Sequence, residues 1–305
     1  MFGELVNTTV QERRSKTRIF EPKSLPEGCV ILVSATKVAL QDISPIAIVW
    51  LRFSMGVLIL GIAVSLRGQF SLPGRGEWAY FSLLGFLGIT FHQWLQSNGL
   101  QTSEAGTTAW IVSTTPVFMA LLGWTVLKEA LSWVKTSGIL LAFAGVLLVV
   151  SKGNLASISV GRFGAPGDFL ILISSVNWAV FSVLSRRGLK SYPAGLMMFY
   201  VMSLGWMFTT ILFFAQTGLS EITNLTSNGW LGVIFLGVFC SGLAYIAWYD
   251  ALQALPSAQT GAFLYIEPLV AVVVAFFVLS EPVTVVSLIG GGVIILGVWL
   301  VNRTS

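Results

Sequence analysis

Of the 305 residues, 55% are apolar and 10% charged, and the mean hydropathy is +0.84, too apolar and too sparsely charged for a water-soluble surface of this size. The bilayer must therefore be the solvent, and because the apolar residues come in runs of about twenty rather than in alternation, the spans are helices and not barrel strands. A net charge of +4 gives nucleic acid no support as a partner, since the basic residues sort by membrane side.

In chain order, residues 1–27 form a polar tail with Arg13, Arg14, Lys16, Arg18 and Lys23. No apolar core follows these basic residues before Pro22, so the tail does not read as a signal peptide. The first apolar run, Gly28 to Leu40, has 13 residues, about 20 Å of helix against a hydrocarbon core of roughly 30 Å. It cannot span unaided. A real short or re-entrant segment and a truncated helix both fit these residues.

Full spans are expected at Ser44 to Leu66, Trp78 to Gly99, Ala105 to Leu127, Leu131 to Ser151, Gly167 to Ser185, Ala194 to Gln216, Gly229 to Asp250, Ser257 to Leu279 and Val283 to Val301. The connections are too short for a soluble domain, so function must lie among the helices. With ten crossings and the amino terminus inside, Arg67, Arg75, Lys128, Lys135, Arg186, Arg187, Lys190 and Arg303 fall on the cytoplasmic side, and only Lys37, Lys152 and Arg162 outside. That bias predicts a multi-pass protein of the cell membrane with both termini cytoplasmic.

The chain repeats itself. A shift of 152 residues lays Trp78 on Trp230, Gly85 on Gly237, Thr108 on Thr260, Pro116 on Pro268, Glu129 on Glu281, Gly138 on Gly290 and Gly145 on Gly297 without a gap. Rare residues in one ungapped register argue against coincidence. The unit holds five helices, an odd number, so the second copy must enter the membrane from the other side. The expected fold is all-α, two inverted five-helix repeats over 28–152 and 165–302, the first helix short. Inverted repeats are characteristic of secondary carriers, which open a midplane site to either side.

Pro116 with Leu127-Lys128-Glu129 and Gly138, and Tyr265-Ile266-Glu267-Pro268 with Leu279-Ser280-Glu281 and Gly290, are two copies of one pattern. In them the chain resembles the drug/metabolite transporter superfamily, EamA type, from about Ala35 to Asn302. That resemblance implies a metabolite carrier whose first helix helps to line a central cavity. Members usually carry a Trp-Gly pair about eight residues before a basic residue of that helix. Counting back from Lys37 reaches Cys29 and Val30 instead.

Pro116 and Pro268 fall mid-span and withhold a hydrogen bond from the carbonyls of Val112 and Leu264, and paired interruptions of this kind mark a carrier's site. Thr114 and Thr115 precede the first proline, Tyr265 and Glu267 the second. On the third helix Gly85, Gly88, His92, Gln96 and Gly99 share one face; Gly237, Cys240, Ala244, Trp248 and Ala251 match them on the eighth. Such stripes suit either a cavity wall or close packing. Trp178, in an Asn177-Trp178-Ala179 segment that resembles the family's pattern, and Tyr245 complete the substrate-binding candidates.

Glu267 reads either as a cavity acid, for a substrate amine or a coupling proton, or as a structural partner of Arg52. Glu129 and Glu281 head the fifth and tenth helices, where a carboxylate caps the positive dipole end. His92 is the only histidine, so neither a metal centre nor a Ser-His-Asp site is expected, and no phosphate loop appears: no cofactor and no enzymatic activity. The expected function is alternating-access transport of a small metabolite, with export of amino acids or related compounds foremost. A non-transporting or degenerate protein is the alternative. A nucleotide-sugar or phosphate-ester exchanger fits less well, because Arg52 is the sole basic residue deep in a span.

Overall fold

The computed structural model describes residues 27–126, 132–154, 164–247 and 267–303. Among these the chain is helical throughout: α1 (Glu27–Ala39), α2 (Pro45–Leu66), α3 (77–99), α4 (105–126), α5 (Trp133–Val150), α6 (Pro166–Ser191), α7 (Ala194–Gln216), α8 (227–247), α9 (Glu267–Leu279) and α10 (Val285–Arg303). A 3₁₀ turn at Leu219–Asn224 joins α7 to α8.

Seven helices are long and apolar enough to cross a bilayer: α2, α4, α5, α6, α7, α8 and α10. The others miss for separate reasons. His92, Gln93, Gln96 and Asn98 dilute the second half of α3, and the described parts of α1 and α9 hold 13 residues each. The outer faces of the bundle are apolar, with Leu58, Ile62, Leu140, Ile211, Leu231 and Phe277 all well exposed. Bare aliphatic surface on this scale is stable only against lipid.

Local sequence sets the ends. Ser44 accepts the Ala47 amide and Pro45 begins α2 where its missing N–H costs nothing. Ser132 caps α5 and Thr226 caps α8 in the same way. α4 is interrupted at 113–114, and Pro116 lies in the first turn of its second segment, Thr115–Val126. The Val112 carbonyl that the proline leaves without its usual donor is answered by the Thr115 hydroxyl at 2.7 Å.

The packing pairs elements five apart. α5 lies on α10, α2 on α7 and α4 on α9; α3 meets α7 as α8 meets α2, and α6 meets α3 and α4 as α1 meets α8 and α9. α5 and α10 touch backbone to backbone: a side chain at Gly138 would meet the Gly297 carbonyl at 2.7 Å, and one at Gly145 the Gly290 carbonyl at 2.7 Å. Rising numbers on α5 against falling numbers on α10 make the two helices antiparallel.

The described part of α1 is interior, packed against α4, α8 and α9. Its Ala35 and Ala39 are buried, and Gly232 on α8 comes up against the Ala35 carbonyl.

Candidate functional site

Two helices depart from α geometry at matching places. In α3 residues Phe86–Phe91 form a π-helical stretch, and in α8 residues Phe235–Leu243 do the same. The 152-residue shift carries the first to 238–243, inside the second. π turns accommodate one extra residue, which frees backbone groups and rotates the rest of the helix about its axis; they concentrate at functional sites. Two side-chain bonds tie the α3 stretch to its neighbours. Asn177 on α6 donates Nδ2–H to the Leu87 carbonyl at 2.7 Å, and Thr90 donates to the Gly205 carbonyl on α7 at 2.8 Å.

Between the two π stretches lies Arg52, 1% exposed and the eighth residue of α2. Its Nε donates to Ser241 Oγ in the π stretch of α8 at 2.9 Å, and a terminal nitrogen to Gln93 Oε1 just past the π stretch of α3 at 3.2 Å. The guanidinium also lies 4.9 Å from the Phe53 ring centre. One cation thus joins three helices in the apolar interior, where a charge is tolerated only with such partners.

His92 sits beside this group. Its Nδ1 is 3.1 Å from the Ser174 carbonyl on α6, and its ring lies against Trp178 at a tilt of 37° with centroids 4.7 Å apart. Trp178 continues to Phe181 at 4.9 Å, and Phe181 fills the notch at Gly88. Tyr245 reaches the cluster edge-on through Phe53, 6.5 Å away.

The structure therefore brings together His92, Trp178, Tyr245 and Arg52 of the residues singled out from sequence. It sets others apart. Thr114 and Thr115 are buried on α4 and donate to the carbonyls of Ile111 and Val112. Gln96 is half-buried one turn beyond His92. The small-residue stripe of α3 is consumed by packing: Gly85 against Gly205, Gly88 against Phe181, Gly99 against Ile171 and the Gly167 carbonyl. Glu281 does not cap the helix it precedes; Thr284 accepts the Ser287 amide there, while Glu281 accepts the amides of Ala105 and Gly106 at the start of α4. Glu129, Trp248 and Tyr265 lie outside the described residues. Of Glu267 and Pro268, both on α9, only the backbone of the former is described, and the latter is buried.

Sequence reasoning missed Gln93, Ser241 and the bridging role of Asn177. A strict 3.6-residue period puts Gln93 off the His92 face, and the structure sets it against Arg52. Replacing Asn177 by Leu is expected to remove the bond that ties α6 to the Leu87 carbonyl, which keeps only the His92 amide, and to cost about 0.5–1.5 kcal/mol, read as a lower melting temperature of the purified protein in detergent. Asn177→Asp, which opposes an acceptor to the same carbonyl, should lower it further.

Comparison with known proteins places this arrangement. The model of the EamA-like transporter family matches residues 30–151 and again 165–303. A protein of Archaeoglobus fulgidus described as an uncharacterized transporter is 30% identical over 264 residues, covering 87% of this chain and 90% of its own. A probable terminal-alkyne amino-acid exporter of Streptantibioticus cattleyicolor is 26% identical over 83% of this chain and 82% of its own. A solved crystal structure shares the fold at a TM-score of 0.64 and 18% identity, covering 92% of this chain and 96% of its own. The chain is a multi-pass membrane protein with transporter relatives across its length, and it belongs to the EamA-like transporter family.

Proposed function

We propose that the chain is a secondary carrier that exports small metabolites, amino acids and related compounds first among them, by alternating access between two inverted five-helix halves. The observation that carries this reading is the buried polar group of Arg52, Gln93 and Ser241 held between π stretches at equivalent positions of α3 and α8. A polar centre inside an apolar bundle, built where both halves break regular helix, is what a midplane binding site requires.

Inversion is supported by the antiparallel contact of α5 with α10, in which Gly138 meets Gly297 and Gly145 meets Gly290. The shift of 152 turns each of these pairs into the other, as a two-fold axis in the membrane plane would. The amino-acid reading draws further support from the exporter of Streptantibioticus cattleyicolor. The charge bias puts both termini in the cytoplasm and the ends of α1 and α9 outside.

The test is efflux from proteoliposomes loaded with a labelled panel of amino acids, nucleotide sugars and phosphate esters, with and without a pH gradient. Selective efflux of an amino acid or a close derivative is expected. Preference for the phosphorylated compounds would replace the substrate class, and no efflux of any compound from a folded protein would favour the non-transporting reading. In the same assay Glu267→Gln should abolish efflux or remove its dependence on the gradient; unchanged flux and pH response would defeat the role of Glu267 as a cavity acid.

A further inference from the structure

At the end of the bundle where α1 and α9 finish and α4 begins, one carboxylate holds three elements. Glu281, in the connection between α9 and α10, takes Lys37 Nζ on Oε1 at 2.7 Å. Its oxygens also accept the Ala105 amide at 2.9 Å and the Gly106 amide at 3.2 Å. Lys37 is in the last turn of α1, and Ala105 and Gly106 open α4. The carboxylate thus fastens the second half of the chain to two helices of the first.

Other polar ties cross between the halves at this end, and they differ in kind. Ser44 donates to Glu221, Thr226 to Asp42 and Ser103 to Asp168. In each, one partner also caps its own helix: Ser44 for α2, Thr226 for α8 and Asp168 for α6. Those ties are built into helix ends. The Glu281 side chain caps no helix of its own half, because Thr284 caps α10, and answers the first amides of α4 instead.

Ser280 before it holds φ at 54°, the left-handed C-cap of α9, which the Glu281 amide closes on the Ala275 carbonyl, so backbone and not the carboxylate keeps this turn. A cleft lined by Glu104, Thr107, Lys152, Glu281 and Thr284 lies beside the connection, leaving it room to move. The Lys37 and Glu281 side chains are 21% and 16% exposed, sheltered enough to bind firmly yet near enough to water to part without the full penalty of a buried ion pair.

The geometry points to Glu281 as a releasable latch: seated on Lys37 and on the start of α4 it shuts this end of the bundle, and its release lets the α9–α10 connection part from α1 and α4. The inference rests on the alternating-access reading, but its test needs no substrate. Thr107, 8% exposed, lines the cleft beside the latch. The full chain carrying Thr107→Cys with Cys29→Ser and Cys240→Ser, in nanodiscs open to both faces, is treated with a membrane-impermeant methanethiosulfonate, and the modification rate is measured.

Glu281→Ala is expected to raise that rate about tenfold or more by shifting the population towards the open end. Glu281→Gln, which keeps an acceptor for the amides, and Lys37→Met should each raise it less, by about threefold. Glu104→Gln breaks an ion pair with Lys152 inside the first half and should leave the rate unchanged. Parental rates in folded Glu281→Ala would make Glu281 a fixed brace and overturn the latch. If that variant does not fold, parental rates in both Glu281→Gln and Lys37→Met overturn it equally. A faster rate with no flux in liposomes would sink the carrier reading and leave the latch standing.

Discussion

Gly291→Leu and Gly297→Leu are expected to yield little folded protein, while Gly292→Leu, between them on the same helix, behaves as the parent. A side chain at Gly291 would run into the indole of Trp110, and one at Gly297 would meet the Gly138 carbonyl at 2.6 Å and the Ala142 amide nitrogen at 2.5 Å. Around Gly292 nothing lies within 4 Å. Overpacking usually costs about 1–3 kcal/mol because neighbouring side chains shift to make room. At Gly297 the obstacle is backbone, so α5 and α10 must separate, and the contact that joins the two halves most closely goes with them. The upper part of that range or more is expected at Gly297, a large share of the roughly 5–15 kcal/mol that holds a typical protein folded. At Gly291 the indole can turn only by breaking its hydrogen bond to Ser287. Size-exclusion profiles and melting curves in detergent decide the matter. Equal profiles for the three variants would mean that α5 and α10 do not touch backbone to backbone.

How much of the fold was legible depends on which interactions are local. The span from Ala194 to Gln216 stands where the apolar run put it, and α2 begins at Pro45 because a capping serine and a proline mark helix starts in sequence alone. The bilayer makes composition a strong signal, since each helix must satisfy its own backbone. The apolar run from Gly28 marked α1 as a helix, though not that it would pack as an interior one.

Features that depend on a neighbour failed to show. The stripe from Gly85 to Gly99 announced a special face without saying whether water or another helix would meet it; Phe181, Ile171 and Gly205 supply the answer from α6 and α7. The π stretches leave no mark in the sequence, because a single extra residue in a turn does not disturb an apolar run. Without them Gln93 and Ser241 could not be assigned to Arg52. Glu281 was recognised as a carboxylate at a helix start, but the helix it serves is α4, 176 residues away.

Arg52 sets the second large effect. Lysine in its place keeps the charge but offers a compact ammonium on a flexible stem, which cannot reproduce a planar fork reaching Ser241 and Gln93 on different helices. Hydrogen bonds to charged groups contribute about 1.5–3 kcal/mol each, so losing one or both should lower efflux by about tenfold or more and depress the melting temperature. Arg52→Met goes further, removing the charge and leaving the Gln93 carbonyl oxygen buried without its donor. These losses have two distinct origins, and a double variant separates them. Pairing Arg52→Met with Gln93→Met removes both ends of the bond, and contacting residues of this kind combine non-additively. Stability should then return towards the parent. If Arg52 only pins α2 to α3 and α8, efflux returns with it. If the guanidinium belongs to the binding site, the melting temperature recovers and efflux stays lost, which is the result the position of Arg52 between the two π stretches predicts. Recovery of both would remove Arg52 from the site.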